Sequence, residues 1–269
     1  SHASISPCAA AYVEGRTLLD HARHHVGAKI VVKLDIEDFF DSITFPKVFH
    51  AVDEALKRSP LVEPAGEISW FIAKACTLDH RLPQGAPTSP MLSNMVFFPL
   101  DCMISSYCSE RRIRYTRYSD DMIFSGDFQP SGLIRFIRKL LRKNGFVLNE
   151  DKIVIAGQGR QQKITGVVVN RRPQAERKYR REIRQDLYYI GKYGLEDHLE
   201  RKGTFQSGNG EVDRSATIVK ELQSLIGKIV FVLQIDPGNE EFKEYKELSI
   251  SLLNQIPLIW NGSQRTERL

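Results

Sequence analysis

The sequence predicts an α+β unit followed by an all-helical one, and three observations lead there. A β-branched run at residues 30–36 has the character of a buried central strand. Residues 113–118 and 122–125 flank Ser119-Asp120-Asp121 with aromatic and β-branched side chains, the composition of two half-buried strands joined by a tight turn. From Arg171 onward strand-like segments stop and helical periodicity takes over, which puts a boundary near Pro173 and divides the chain into residues 1–172 and 173–269.

The bulk properties narrow the class. With 269 residues the chain can bury a sizeable core, and 42% hydrophobic and 26% charged residues are ordinary for a globular protein. A net charge of +5 suits a polyanionic partner without establishing one. Cys8, Cys76, Cys102 and Cys108 form no CxxC pair and no ligand spacing with histidine, so they read as reduced thiols of a cytoplasmic protein. No apolar run reaches the ~18 residues of a membrane span, and no secretory signal opens the chain. Ser1-His2-Ala3-Ser4 lacks an initiator Met, and an N-terminal portion is expected to be missing.

Residues 16–25 predict a short helix stopped by Gly27, with His21, His24 and His25 assigned to packing or hydrogen bonding because no Cys or carboxylate stands beside them at ligand spacing. The strand at 30–36 ends on Asp35, just before Glu37 and Asp38. Thr44 is expected to cap a helix from about Pro46, and a loop at 59–66 leads to a second helix at 67–76. Leu82-Pro83-Gln84-Gly85-Ala86-Pro87-Thr88-Ser89-Pro90 is a rigid turn before an apolar helix at 91–103, in which Asn94 and Asp101 are the polar exceptions. After the hairpin, Ser131 is expected to cap a helix at 132–143 with a basic outer face, and strands follow at 146–148, 152–156 and 163–169, the last two joined by a hairpin turn at Gly157-Gln158-Gly159. Arg171, Arg172, Arg177, Lys178, Arg180, Arg181 and Arg184 cluster at the start of a helix; a flexible loop at 203–210 and helices at 215–233 and 240–253 complete the chain.

Two adjacent aspartates in a turn are common and prove nothing. They become a divalent-metal site only with a third carboxylate, because hard cations take oxygen ligands and share them with substrate phosphates. Asp35 is that partner: a carboxylate closing a buried strand is costly unless paired or bound to a cation.

In this order and spacing, Asp35-Ile36-Glu37-Asp38-Phe39-Phe40, Leu82-Pro83-Gln84-Gly85 and Tyr118-Ser119-Asp120-Asp121 resemble the palm motifs of reverse transcriptases, and more narrowly those of bacterial retron reverse transcriptases. Gln84-Gly85-Ala86-Pro87-Thr88-Ser89-Pro90, Leu148-Asn149-Glu150-Asp151-Lys152, Ile164-Thr165-Gly166 and Leu225-Ile226-Gly227-Lys228 extend the likeness over nearly the whole chain. It departs in Ser119 (commonly Ala), in His21-Ala22-Arg23-His24-His25 (Asn-Ala-x-x-His), in Ile164 (Val), and in lacking the N-terminal finger segment.

The resemblance implies a palm with an antiparallel sheet and partial fingers at 1–172 and an all-α thumb at 173–269. It implies two Mg²⁺ ions, with Mn²⁺ as a substitute, held by Asp35, Asp120, Asp121 and the backbone of Ile36. Phe40 would be the steric gate against a ribose 2′-OH, Gln84 and Gly85 would lie along the incoming dNTP, and Lys152 would be the general acid for pyrophosphate. Thr165, Gly166, Arg177, Lys178, Arg180, Arg181 and Arg184 would contact RNA or DNA. The implied partners are a cognate structured non-coding RNA, its single-stranded DNA product in a branched RNA–DNA molecule, and an effector protein in antiphage defence. Two rivals are a group II intron-like reverse transcriptase and a non-catalytic RNA-binding scaffold.

Overall fold

The computed structural model describes residues 5–58, 65–205 and 214–266, with side chains to residue 256. The chain divides into two compact units, Ser1–Arg172 and Pro173–Leu269.

The first unit is built on β1 (Ile30–Glu37), which lies in the middle of an antiparallel sheet. On one side it pairs with β3 (Asp121–Gly126), which pairs in turn with β2 (Arg114–Tyr118). On the other side β5 (Val154–Gly157) covers its first half and β4 (Val147–Leu148) its second. Alternation along the strand then sorts side chains to two faces. Val32, Leu34 and Ile36 of β1 and Met122 and Phe124 of β3 enter the core. There they meet α2 (Phe45–Lys57), α4 (Ser89–Glu110) and α5 (Pro130–Lys143) through Val48, Phe97, Ile104, Leu133, Ile137 and Leu141. The odd-numbered set on β1 includes Lys33 and Asp35, and this second face carries the candidate site.

A short helix, α1 (Leu18–Arg23), is started by a capping box between Thr17 and Asp20 and sits against the second face. His25, just past it, is buried and ties β2 to β3: its Nδ1 lies 2.7 Å from Ser125 Oγ and its Nε2 2.6 Å from Thr116 Oγ1. His21 is buried and stacks on Tyr118. Burial pushes His21 down to about 4 and His25 to about 2, so both rings are neutral; His25 is a hydrogen-bonding group, whereas His21 serves packing, neither of its ring nitrogens having a hydrogen-bond partner among the described residues.

Several sequence expectations are corrected. Thr44 occupies the N-cap of α2 without a side-chain capping bond. α5 begins at Pro130, the favoured first-turn proline, so Ser131 lies inside the helix. α3 (Ala65–Cys76) begins before Glu67, and α4 runs on to Glu110 despite Pro99. Residues 150–152 form a 3₁₀ turn, not the start of a strand. The strand expected at 163–169 is a hairpin of β6 (Lys163–Ile164) and β7 (Val167–Val168). Its turn residues, Thr165 at φ +43° and Gly166 at φ +90°, both have positive φ, which right-twisted two-residue hairpins favour. Gly157-Gln158-Gly159 is a turn but closes no hairpin, since β5 pairs with β1. The expected loop at 59–66 lies largely outside the described residues, as do residues 206–210 of the one at 203–210.

Among its described residues the second unit carries one short strand, β8 (Gln174–Ala175), and four helices: α6 (Arg177–Tyr193), α7 (Leu195–Arg201), α8 (Arg214–Ile235) and α9 (Glu240–Thr266). Ile183, Leu187 and Ile190 form the buried stripe of α6, and Ile218, Leu222, Leu225, Ile229 and Val232 that of α8. No helix among the described residues is long and apolar enough to cross a membrane.

Candidate active site

Asp35 and Asp121 face each other across β1 and β3. The Ile36 N–H donates to Asp120 O at 3.2 Å, which makes Asp35–Asp121 a non-hydrogen-bonded pair, the kind in which facing side chains come closest. β2 and β3 pair up to Tyr118 and Asp121, leaving Ser119 and Asp120 as a two-residue turn. Asp120 is thus at the tip, whereas Asp121 is the first strand residue and not a second tip carboxylate. Ser119 stands at φ +59°, in a position that hairpins usually give to glycine.

Like charges directly opposite in a sheet repel, and the structure answers with two ammonium groups. Lys33, two residues before Asp35 and on the same face, places Nζ 2.7 Å from Asp121 Oδ2. Lys152, from the 3₁₀ turn after β4, places Nζ 3.1 and 3.3 Å from the two oxygens of buried Asp35. Desolvation raises the Asp121 carboxyl above its ordinary value; Lys33 opposes this, and Asp120 and Asp35 add to it. The Lys152 ammonium is held above its ordinary value by its hydrogen bond to Asp35 and by that charge.

Asp120 and Asp121 open on a cleft of about 740 Å³ that Tyr12, Phe40, Gln84, Gly85, Tyr118, Ser119 and Thr165 also line. Phe40 packs edge-on against Phe39, with ring centroids 5.5 Å apart. Gly85 sits at φ +88°, and no atom lies within 4 Å of where a Cβ would stand, so the backbone is open to the cleft. Tyr12, itself at φ +60°, brings its hydroxyl to 3.4 Å from Ser119 Oγ.

A match to the family model "Reverse transcriptase (RNA-dependent DNA polymerase)" spans residues 2–169 and contains every one of these positions. The chain belongs to the reverse transcriptase family. The retron Ec86 reverse transcriptase of Escherichia coli is 34% identical over 202 residues, covering 73% of this chain and 61% of the relative. The retron Mx65 reverse transcriptase of Myxococcus xanthus is 32% identical over 198 residues, covering 68% and 46%. The chain therefore spans about half the length of these two relatives. Among solved structures, a C-terminally truncated apo telomerase from Candida tropicalis aligns with a TM-score of 0.47 at 11% identity, over 63% of this chain and 41% of that one.

Reverse transcriptases use divalent metal ions, and the donor set here fits them in kind: three carboxylates at one end of the palm sheet, all hard oxygen donors. They are not drawn together. Among the described residues no three His, Cys, Asp or Glu side chains are grouped so as to hold one ion; Asp121 and Asp35 are paired with Lys33 and Lys152. Asp35, Asp120, Asp121 and Lys152 thus stand at one end of the sheet without forming a closed cluster, and Phe40, Gln84, Gly85 and Thr165 line the cleft on which Asp120 and Asp121 open.

The basic residues of α6 are not one free surface. Arg177, Lys178 and Arg181 are exposed. Arg184 is forked to Glu241 of α9 by two bonds of 2.6 Å, and Arg180 is half-buried with Nη2 3.4 Å from Gln174 Oε1. Lys33 and Tyr12 were not among the site residues expected from the sequence. For Lys33 the signal was there, since i and i+2 on a strand share a face; for Tyr12, a lone tyrosine in a loop, there was none.

Proposed function

We propose that the chain is the palm, remaining fingers and thumb of a retron-type RNA-directed DNA polymerase that copies part of a structured RNA into single-stranded DNA. The observation that carries this reading is the facing pair Asp35–Asp121 with Asp120 beside it, Asp120 and Asp121 opening on a cleft that Phe40 and Gln84 also line. The restriction to retron type rests on kinship alone.

On this reading Asp35, Asp120, Asp121 and the Ile36 carbonyl would hold two Mg²⁺ ions. When bound, these ions acidify the primer hydroxyl and neutralise the triphosphate and departing pyrophosphate. The protein's own groups do the rest. Lys33 and Lys152 give Asp121 and Asp35 each a counter-charge that holds them in place. Lys152, kept protonated by Asp35, then has a proton and a charge to offer the pyrophosphate. Phe40 walls the cleft where a 2′-OH would enter, and Gln84 and the open backbone at Gly85 border the nucleotide. In the second unit, as thumb, exposed Arg177, Lys178 and Arg181 grip phosphates without reading sequence. The Thr165–Gly166 turn adds an RNA contact.

The test is primer extension on a primed RNA template with Mg²⁺, comparing wild type with Asp120→Asn/Asp121→Asn. Incorporation of dNTP should fall by at least three orders of magnitude while RNA binding holds. Equal, negligible incorporation by both proteins with tight RNA binding leaves a non-catalytic scaffold.

A further inference from the structure

The hairpin tip is fixed from beneath by an ion pair that is expensive on its own terms. Arg117 of β2 and Asp101 of α4 are both fully buried. The guanidinium forks onto the carboxylate, with Nε 3.0 Å from Oδ1 and Nη2 2.7 Å from Oδ2. The Tyr115 hydroxyl donates to Oδ1 at 2.6 Å, and the guanidinium lies over Phe97, one helical turn before Asp101, at 4.7 Å. A buried ion pair of this sort is seldom more stabilising than two apolar side chains of the same volume. Stability alone does not account for it.

The remaining arm of the guanidinium does. Nη1 donates to the carbonyl of Ser119 at 3.0 Å. That carbonyl begins the peptide leading to Asp120, at a residue held in the left-handed region. The backbone of Arg117 is itself fixed, its N–H donating to Cys8 O and its carbonyl accepting from Ala10 N–H. The chain of contacts thus runs from α4 through Asp101 and Arg117 to Ser119, Asp120 and Asp121. A guanidinium can hold a carboxylate and a carbonyl at fixed angles at once; a point charge such as lysine cannot.

We propose that Arg117, oriented by Asp101, is a positioning residue that sets the Ser119–Asp120 turn and with it the geometry of the metal-binding carboxylates. This rests on the polymerase reading above. It touches neither substrate nor metal.

The test uses Arg117→Met/Asp101→Leu, which exchanges the pair for apolar groups of similar volume and keeps the core filled, and Arg117→Lys, which leaves Asp101 a counter-charge. Three quantities are measured on the full chain: thermal unfolding, Mn²⁺ affinity by electron paramagnetic resonance of the protein alone, and kcat and KM for dNTP incorporation. Both variants should fold, lose roughly 10- to 100-fold in kcat and weaken Mn²⁺ binding by the same order, as expected on losing a group that orients ligands, with KM for the primed template unchanged. A merely structural pair would shift the unfolding temperature and leave folded variants with wild-type kcat and Mn²⁺ affinity; that result overturns the proposal. Should one variant fail to fold, the other decides. A wild type that neither binds Mn²⁺ nor incorporates dNTP removes the polymerase reading and this proposal together, whereas an active wild type with unaffected variants removes the positioning role alone.

Discussion

Gly85→Ala separates the cost of backbone strain from the cost of blocking a nucleotide. Gly85 sits at φ +88° with nothing within 4 Å of the position an added methyl would take, so the folded protein bears only the left-handed strain of an alanine. That strain is about 1–2 kcal/mol. For a unit of this size, 1 kcal/mol moves the unfolding temperature by about 2–4 °C, so the expected loss is about 2–8 °C. Gly27 is a matched control: φ is +71°, its Cβ direction is equally empty, and it does not line the cleft. Thermal scans of Gly85→Ala and Gly27→Ala should give similar losses. Steady-state dNTP incorporation should not: a methyl projecting where the nucleotide backbone runs displaces it, and misplacement of about 1 Å costs up to roughly 100-fold in kcat/KM. Gly27→Ala should stay at the wild-type value. If the two variants lose the same stability and both retain wild-type kcat/KM, Gly85 does not border the nucleotide.

Phe40→Ala should admit ribonucleotides, lowering the preference for dNTP over NTP by roughly 10- to 100-fold, the scale on which a pocket wall rejects an added hydroxyl; unchanged discrimination in competition assays rejects the gate. The histidines predict an acid-sensitive unit. His21 and His25 are held at about 4 and about 2 from an ordinary 6.5, so the unfolded chain takes up protons that the folded one refuses. Their contribution is full above pH 6.5 and is lost as pH falls toward the folded values, by about 2 kcal/mol for each ring at pH 5. Denaturant titrations at pH 7.5 and 5 should show this loss, and His21→Phe should remove about half of it; equal slopes with pH in the variant and wild type would exclude His21 as a source.

The parts of the molecule that were legible in the sequence are those where one local signal suffices. A β-branched run closed by Asp35 marks a buried strand with a charge at its end, and Ser119-Asp120-Asp121 between strand-like flanks marks a turn, though Asp121 proves to be the first residue of the next strand. What stayed hidden depended on distant partners or on strain. Asp101 stood out as a polar residue in an apolar helix, yet its reason is Arg117, 16 residues away on a strand. Asn94, the other exception, donates to Ala11 O, 83 residues away. Arg184 read as one more phosphate-binding cation until Glu241, 57 residues on, claimed it. Thr165 lies within a β-branched run and carries positive φ, so propensity argued for a continuous strand where the chain turns back.

The lysines complete the logic of the aspartates. Asp35 and Asp121, facing across a non-hydrogen-bonded pair, are an arrangement that an ordinary sheet avoids because like charges directly opposite repel. A purely structural solution would replace one carboxylate by an amide or an apolar group. Here both carboxylates are kept, and each is matched by an ammonium on a flexible stem, Lys33 at 31% and Lys152 at 60% side-chain exposure. Ammonium groups that reach solvent can swing away at little cost, whereas a buried arginine fork such as Arg117–Asp101 cannot. On the proposed reading that difference is functional: the site couples exchangeable counter-ions on its metal side to a fixed one beneath the turn. The carboxylates can then trade ammonium for divalent cation without the hairpin losing its place.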